Sequence, residues 1–97
     1  MGIVLSELGR NEEAVASFRK VVEISPSDAE TYYNMGNAFY QLGRQEEALA
    51  SFKKSVDLNP NDAAALYNMG TSLNQFGRNE EALASFKKSV NIDPNKA

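Results

Sequence analysis

The side chains of this sequence that could support acid–base chemistry are three pairs of glutamates. Paired carboxylates can act as general acid and base, or they can bind a divalent metal ion. The pairs stand at equal intervals along the chain, at Glu12-Glu13, Glu46-Glu47 and Glu80-Glu81. A catalytic pair is usually unique in its chain, whereas these pairs recur in three similar stretches. We therefore interpret them as carboxylates in the first turn of a helix, where the helix dipole favours negative charge.

Three residue types are missing from the chain, and their absence excludes several kinds of site. The sequence contains no Cys, His or Trp. Without Cys there is neither a disulfide framework nor a thiolate zinc site. Without His, Cys/His and Ser/His/Asp catalysis lack their base. The sequence therefore predicts no enzyme, no metal site and no cofactor.

The positive charges recur with the same period as the glutamates. Basic pairs stand at Arg19-Lys20, Lys53-Lys54 and Lys87-Lys88, which we place near the C-terminal ends of helices, where the dipole favours cations. The alternative is that stacked units align them into a basic stripe that meets an acidic partner. The formal net charge is −3 and the basic residues are spread along the chain. This argues against a nucleic-acid partner or an anionic membrane, since both need concentrated positive charge.

Neither a membrane segment nor a targeting segment is visible. No apolar run approaches the roughly 20 residues that a membrane helix needs. No charged region precedes an apolar one, so no signal peptide is predicted and a cytoplasmic location is favoured. The first six residues fit the loose N-myristoylation pattern. However, Gly2 lies one period before Gly36, so the repeat already explains this glycine.

The repeat itself is the dominant feature of the sequence. GRNEEAVASFRKVVEISP at residues 9–26 returns as GRQEEALASFKKSVDLNP at 43–60 and as GRNEEALASFKKSVNIDP at 77–94. A fixed period of roughly 20 to 50 residues is typical of stacked supersecondary units rather than of one closed core.

Helical periodicity and breaker residues predict six helices in three antiparallel pairs, with no strand. The second helix of each pair is expected at about 11–24, 45–58 and 79–92, and Asn11 is expected to cap the earliest of these. The first helices are expected at 28–42 and 62–76, with residues 1–8 as the back half of a third. Gly9, Gly43 and Gly77 are expected to end the first helices. The small residues Gly36, Gly70, Ala14, Ala48 and Ala82 are expected where helices approach closely.

A helix–turn–helix repeat of about 34 residues, with these residues at these positions, resembles the tetratricopeptide repeat (TPR) family. The matching residues are Tyr32, Met35, Gly36, Phe39, Gly43, Ala48, Phe52 and Pro60, then Leu66, Met69, Gly70, Leu73, Gly77, Ala82, Phe86 and Pro94. The departures are Leu66, where the family prefers an aromatic residue, and Ser55 and Ser89, where it prefers Ala. The resemblance implies an all-α fold, a right-handed α-α superhelix of antiparallel helix pairs. It also implies one domain over 1–97, with a partial repeat at 1–28 and two full repeats at 29–62 and 63–97.

The same resemblance implies that the first helices line a concave groove, and that the module binds peptides or proteins. The two first helices carry no Lys or Arg, so the groove is expected to present amides and aromatic rings. Amides pair with both the N–H and the C=O of an extended backbone. The predicted groove residues are Tyr33, Asn34, Asn37, Tyr40, Gln41, Tyr67, Asn68, Thr71, Asn74 and Gln75.

Two known kinds of TPR groove serve as comparisons. The chaperone-binding carboxylate clamp is not supported, because Tyr33 stands where its first Lys is needed. The groove is more similar to the asparagine ladder in the TPR superhelix of protein O-linked N-acetylglucosamine transferases. Asn34 and Asn68 match the rungs of that ladder and stand one repeat apart. Both interpretations of these asparagines stay open: binding of a peptide backbone, or a structural residue common in the family.

Two functions are therefore weighed. The first is a protein-interaction module that holds an extended peptide in the groove. The second is a structural segment that stacks on copies of itself or on a longer protein, without a ligand of its own. Terminal units of a repeat protein leave apolar surface uncovered unless they are capped. We accordingly expect self-association into a homo-oligomer through residues at the two ends, namely Val15, Phe18, Val22, Leu83, Phe86 and Val90.

Overall fold

The fold is all-α, as predicted. A computed structural model describes residues 2–94, and the side chains from residue 9 onward. These residues form five helices and no strand: α1 (Gly2–Ile24), α2 (Ala29–Gln41), α3 (Gln45–Leu58), α4 (Ala63–Gln75) and α5 (Asn79–Ile92). Met1 and the end of the predicted last repeat, residues 95–97, lie outside the described residues. The helices α2 to α5 match the predicted ranges to within one residue at each end.

The turns between α2 and α3 and between α4 and α5 have the same construction. Gly43 has a φ of +78°, in the left-handed region that favours glycine. The Gly43 amide donates to the Tyr40 carbonyl at 3.1 Å and the Arg44 amide to the Phe39 carbonyl at 2.9 Å. This pair of bonds is a Schellman motif, which satisfies the last carbonyls of α2. Gly77, with a φ of +76°, closes α4 with the equivalent bonds, so both glycines end their helices as predicted.

The first helix departs from the prediction. Gly9 lies inside the continuous helix α1, has no positive φ, and does not separate two helices. The predicted six helices are therefore five, and Asn11 is not an N-cap. The physical reason is that glycine adopts helical backbone angles as well as left-handed ones, so Gly9 permits a turn without imposing one. Continuing the helix through Gly9 instead keeps its backbone groups hydrogen-bonded without a turn.

The charged residues follow their predicted positions more closely at the starts of helices than at the ends. Asp28 caps α2 by accepting from the Thr31 amide, and Asp62 caps α4 by accepting from two amides. The glutamate pairs at 46–47 and 80–81 lie in the first turns of α3 and α5, as predicted. The pair at 12–13 instead lies within α1. The basic pairs lie near the C-terminal ends of α1, α3 and α5 but outside their last turns, so the helix dipole does not account for their placement.

Two glycines in first helices lie directly on phenylalanine rings of second helices. A β-carbon added at Gly36 would lie 2.6 Å from Cε1 of Phe52, and one at Gly70 would lie 2.7 Å from Cε1 of Phe86. Ala48 and Ala82 are buried beside these contacts. The prediction that small residues permit close helix approach is therefore confirmed for both helix pairs.

Two buried serines fasten the same helix pairs at the opposite end. The Ser55 hydroxyl donates to the Ala29 carbonyl at 2.9 Å, and the Ser89 hydroxyl donates to the Ala63 carbonyl at 2.8 Å. Each bond joins the last part of a second helix to the first turn of its partner. The serines that depart from the family pattern thus find hydrogen-bond partners inside the core.

Close contacts run between helices adjacent in sequence, from α1 to α2 and onward to α5. One buried cluster joins the first three helices and includes Val15, Met35 and Phe39; a second includes Leu49 and Leu73. Val15 is only 4% exposed, so the prediction that it is uncovered at the N-terminal end is wrong. It is buried because α2 packs over it, while Phe18 and Val22 are half-buried.

We expect Gly36→Ala to lower the free energy of unfolding. Overpacking typically costs about 1–3 kcal/mol. This exceeds the roughly 1 kcal/mol that Ala gains over Gly inside a helix. The Phe52 ring is fully buried and cannot move away from the added methyl group. Urea denaturation followed by circular dichroism measures the change.

Gly9→Ala is the matched control, since no atom lies within 4 Å of the added β-carbon. In a continuous α1 this substitution raises the free energy of unfolding by up to about 1 kcal/mol. A loss of stability at Gly9 would contradict the continuous helix, because a glycine of positive φ resists replacement by Ala.

Candidate peptide-binding groove

The first helices α2 and α4 lie side by side and form the walls of a groove. A cavity of about 300 Å³ opens between them. Its lining residues are Asn37, Tyr40, Gln41, Tyr67, Asn68 and Thr71, with Phe52 at the floor. Six of the ten predicted groove residues therefore come together around one cavity.

Hydrogen bonds across the groove connect two further predicted residues to this set. The side-chain amide of Asn68 donates to the Tyr33 hydroxyl at 3.2 Å and to Asn37 Oδ1 at 3.0 Å. The side-chain amide of Gln75 donates to the Tyr40 hydroxyl at 3.0 Å. These three bonds join α4 to α2 and hold the two walls in register.

The structure does not bring Asn34 and Asn74 to the cavity. Asn34 makes no hydrogen bond to another described side chain, although it stands one period before Asn68. Asn68 bonds to Asn37 of the preceding first helix, and the residue at the same offset before Asn34 is Ile3, which has no polar side-chain group. The two asparagines therefore have different environments despite their equivalent positions in the repeat.

Phe52 is the lining residue that sequence reasoning assigned only to the core. Its ring lies under Gly36, which has no side chain to cover it. Tyr33 packs against the same ring with centroids 6.1 Å apart, and Tyr67 packs in the same way on Phe86 at 5.4 Å. The signal that could have identified Phe52 is the glycine one helix away, since the missing side chain at Gly36 lets the ring approach the first helix that forms the groove wall.

Several polar atoms of the groove have no partner among the described residues. They are the amide nitrogen of Asn37, Oδ1 of Asn68, the Tyr67 hydroxyl and the side-chain amide of Gln41. The Thr71 hydroxyl, in contrast, donates to the Tyr67 carbonyl within its own helix at 3.1 Å. The groove thus offers donors and acceptors together, which suits the alternating N–H and C=O of a peptide backbone.

The groove walls are almost uncharged. Helix α4 contains no ionisable group other than the Tyr67 phenol, and α2 carries only Glu30 as a charged residue, in its first turn. The three described ion pairs, Arg19–Glu47, Arg44–Glu47 and Arg78–Glu81, all involve side chains of α1, of α3, of α5 or of the turns before them. Hydrogen bonding and apolar contact, rather than charge, therefore dominate what the groove offers a ligand.

Two other kinds of site are absent from residues 2–94. No group of three Asp or Glu side chains there is arranged to hold a metal ion. None of the described helices combines the length and the apolar character needed to cross a bilayer.

Comparison with known families gives matches along almost the whole chain. A family model described as TPR repeat matches residues 2–43 and 36–75, and one described as tetratricopeptide repeat matches residues 63–96. No curated protein matches the chain.

Comparison with solved structures finds several forms of MamA. The MSR-1 form is 34% identical to this chain, with a TM-score of 0.80. The match covers 97% of this chain and 53% of the MSR-1 chain. The AMB-1 form is 36% identical with a TM-score of 0.81, and the corresponding coverages are 93% and 52%. A further MamA crystal structure, 21% identical with a TM-score of 0.83, covers 90% and 51% and shows the likeness of fold alone. The chain spans about half the length of these proteins.

We expect Asn68→Ala to lower the free energy of unfolding by about 1–2 kcal/mol. The substitution removes two hydrogen bonds between α4 and α2, each of which contributes about 0.5–1.5 kcal/mol. Asn34→Ala is the matched control, and it is expected to change stability by less than about 0.5 kcal/mol. Chemical denaturation of the two variants measures the difference. Equal losses at both positions would show that the inter-helix bonds of Asn68 contribute nothing specific.

Proposed function

Because the chain belongs to the tetratricopeptide repeat family, and is thus a protein-interaction module, we propose that it holds an extended, uncharged peptide segment between α2 and α4. The observation that carries this proposal is the neutral cavity in which free donors and free acceptors stand together. The interior of a folded helix or sheet has its backbone bonds satisfied, so its backbone cannot use these atoms. An extended segment can use them, because its backbone N–H and C=O groups are free.

The aromatic residues of the groove support the same ligand. Tyr67 is 43% exposed and packs on Phe86, so its ring is both accessible and held in place. Tyrosine supplies contact area at a small entropic cost and keeps a polar tip. Apolar side chains of the peptide can therefore lie on the tyrosine rings while its backbone bonds to the amides.

We expect peptides selected from a random library that includes charged residues to bind with an affinity that depends little on salt. Their dissociation constants should change by less than about threefold between roughly 50 and 500 mM NaCl, because the groove lacks cations to be screened. Isothermal titration calorimetry at both salt concentrations provides the measurement. A steep loss of affinity with salt would favour the basic pairs of α3 and α5 as the binding surface instead.

Two aromatic residues of similar exposure give a matched control. Tyr67→Ala should weaken the selected peptides about tenfold or more, since the ring lies in the groove. Phe76→Ala should leave the affinity unchanged, although Phe76 is 40% exposed, because it lies outside the groove among residues of α3 and Arg78.

Self-association through the ends is the second candidate function, and the C-terminal end favours it. Leu83, Val90 and Ile92 of α5 are exposed, and Phe86 is half-buried. At the other end Val21 of α1 is exposed, while Phe18 and Val22 are half-buried. Apolar surface at both ends gives two copies an opportunity to stack, which would remove this surface from water.

We expect sedimentation equilibrium to show a weight-average mass that rises with concentration above the 10.7 kDa of one chain. Val21→Glu should reduce the rise if α1 takes part, because a buried charge opposes the contact. A mass that stays at that of one chain at millimolar concentration would exclude this function.

A further inference from the structure

The cavity between α2 and α4 lies between two sets of hydrogen bonds that cross the groove. The side-chain amide of Asn68 bonds to Asn37 and Tyr33 at one end, and that of Gln75 bonds to Tyr40 at the other. Asn68 and Gln75 stand two helical turns apart, about 10 Å along α4. A peptide backbone that follows the groove passes over these bonds, whereas a single side chain can project between them.

Aromatic rings form much of the cavity wall. Its lining includes Tyr40, Tyr67 and Phe52, whose ring is only 1% exposed in the folded chain. The cavity volume of about 300 Å³ is at the lower end of the range for ligand pockets, roughly 300–1,000 Å³. The cavity is therefore suited to one long side chain, whose methylene stem can pack on the rings.

The bond between Asn37 and Asn68 leaves one donor and one acceptor free at the cavity. The Asn68 amide uses both of its N–H groups, towards the Tyr33 hydroxyl at 3.2 Å and towards Asn37 Oδ1 at 3.0 Å, so its oxygen is left to accept. The amide nitrogen of Asn37 is left to donate. Both asparagines are half-buried, whereas Gln41 and Tyr67 of the same cavity are exposed. The more buried polar groups are thus a donor–acceptor pair, and the more exposed ones are accessible to a peptide backbone.

We propose that the cavity is a specificity pocket for a side-chain carboxamide, that of a glutamine or asparagine in the bound segment. This inference rests on the proposed function, the binding of an extended peptide in the groove, and names the residue that anchors the peptide. A carboxamide carries an acceptor oxygen and a donor nitrogen on one carbon atom, so it can bond to Asn37 and Asn68 together. The peptide backbone then bonds to the exposed groups of Gln41 and Tyr67.

Other long, unbranched side chains satisfy at most one of the two asparagines. A carboxylate offers only acceptors and an ammonium only donors. Each also brings a charge into a cavity in which no described lining residue is charged, so it loses hydration without gaining a partner of opposite charge. Methionine fits the aromatic walls but leaves both amide groups without a bond. The pocket therefore distinguishes glutamine from glutamate, lysine and methionine, which have similar lengths.

The test is selection of short random peptides, displayed on phage, against the full chain. Sequences that bind the wild-type chain but not Tyr67→Ala define the groove ligands. These sequences should be enriched in glutamine or asparagine at one position. In a synthetic peptide of the most frequent sequence, replacing that residue with glutamate or methionine should weaken binding about tenfold or more, as measured by calorimetry.

Asn37→Asp changes the pocket by one atom, and Asn34→Asp is its matched control. The first variant keeps an oxygen that accepts from Asn68 and replaces the free donor with a second acceptor. It should move the selected residue from glutamine to lysine, whose ammonium can donate to the new carboxylate. The control adds the same charge to α2 away from the cavity, and should leave the preference for glutamine unchanged. Circular dichroism verifies that both variants fold.

The outcomes separate this inference from the proposed function. Peptides that require Tyr67 but show no enrichment of glutamine or asparagine would overturn the specificity pocket and leave the groove as the binding site. Enrichment of lysine by the wild-type chain, or an equal loss of preference in both aspartate variants, would overturn it as well. If no selected peptide requires Tyr67, the groove is not the binding surface, and the proposed function is overturned together with this inference.

Discussion

The contact on which the other features depend is that of a glycine in a first helix with a phenylalanine ring in the second helix. Gly36 on Phe52 and Gly70 on Phe86 bring two helix backbones closer than any side chain at the glycine would allow. The same helix pairs are joined by the turns at Gly43 and Gly77 and by the serine bonds at their far ends, and tyrosines pack at a tilt on the same rings. The groove also depends on this contact, because the Phe52 ring under Gly36 forms its floor.

Sequence reasoning predicted the features that depend on local or periodic signals. Helices α2 to α5 have a cap, an apolar stripe and a glycine or proline stop within their own residues, so their ranges could be read directly. Gly9 carries the same local signal as Gly43 and yet lies inside a helix. The difference is tertiary: a glycine permits a turn without imposing one, and the turn forms where the two helices that it joins bury surface on each other, as α2 and α3 do. The division into repeats at 1–28, 29–62 and 63–97 stays a prediction.

The residues that line the groove could be predicted, but the hydrogen bonds between them could not. That first helices line a groove is what the family resemblance implies, and eight of the ten predicted residues are connected in the structure. That the Asn68 amide bonds to Tyr33 and Asn37 depends on the stagger of two helices, which a sequence does not state. Nor does a sequence show that Ser55 and Ser89 direct their hydroxyl groups to carbonyls of the neighbouring helix. The free atoms of the groove are known only after these internal bonds have been assigned.

The densest packing lies between successive helices, so the described part of the molecule is a linear array rather than a closed body. In such an array the free energy of unfolding is close to the sum of each unit's own stability and of its interfaces with adjacent units. Unfolding of one unit therefore affects mainly the units next to it. Among the described helices, α1 and α5 each pack closely on one neighbour, whereas those between them pack on two and include the pair joined across the groove. Fraying therefore begins at α1 and α5, while the α2–α4 segment, which forms the groove walls, retains its order longest. The proposed binding groove thus lies in the part of the array that neighbouring helices hold on both sides, and amide exchange should be slowest there.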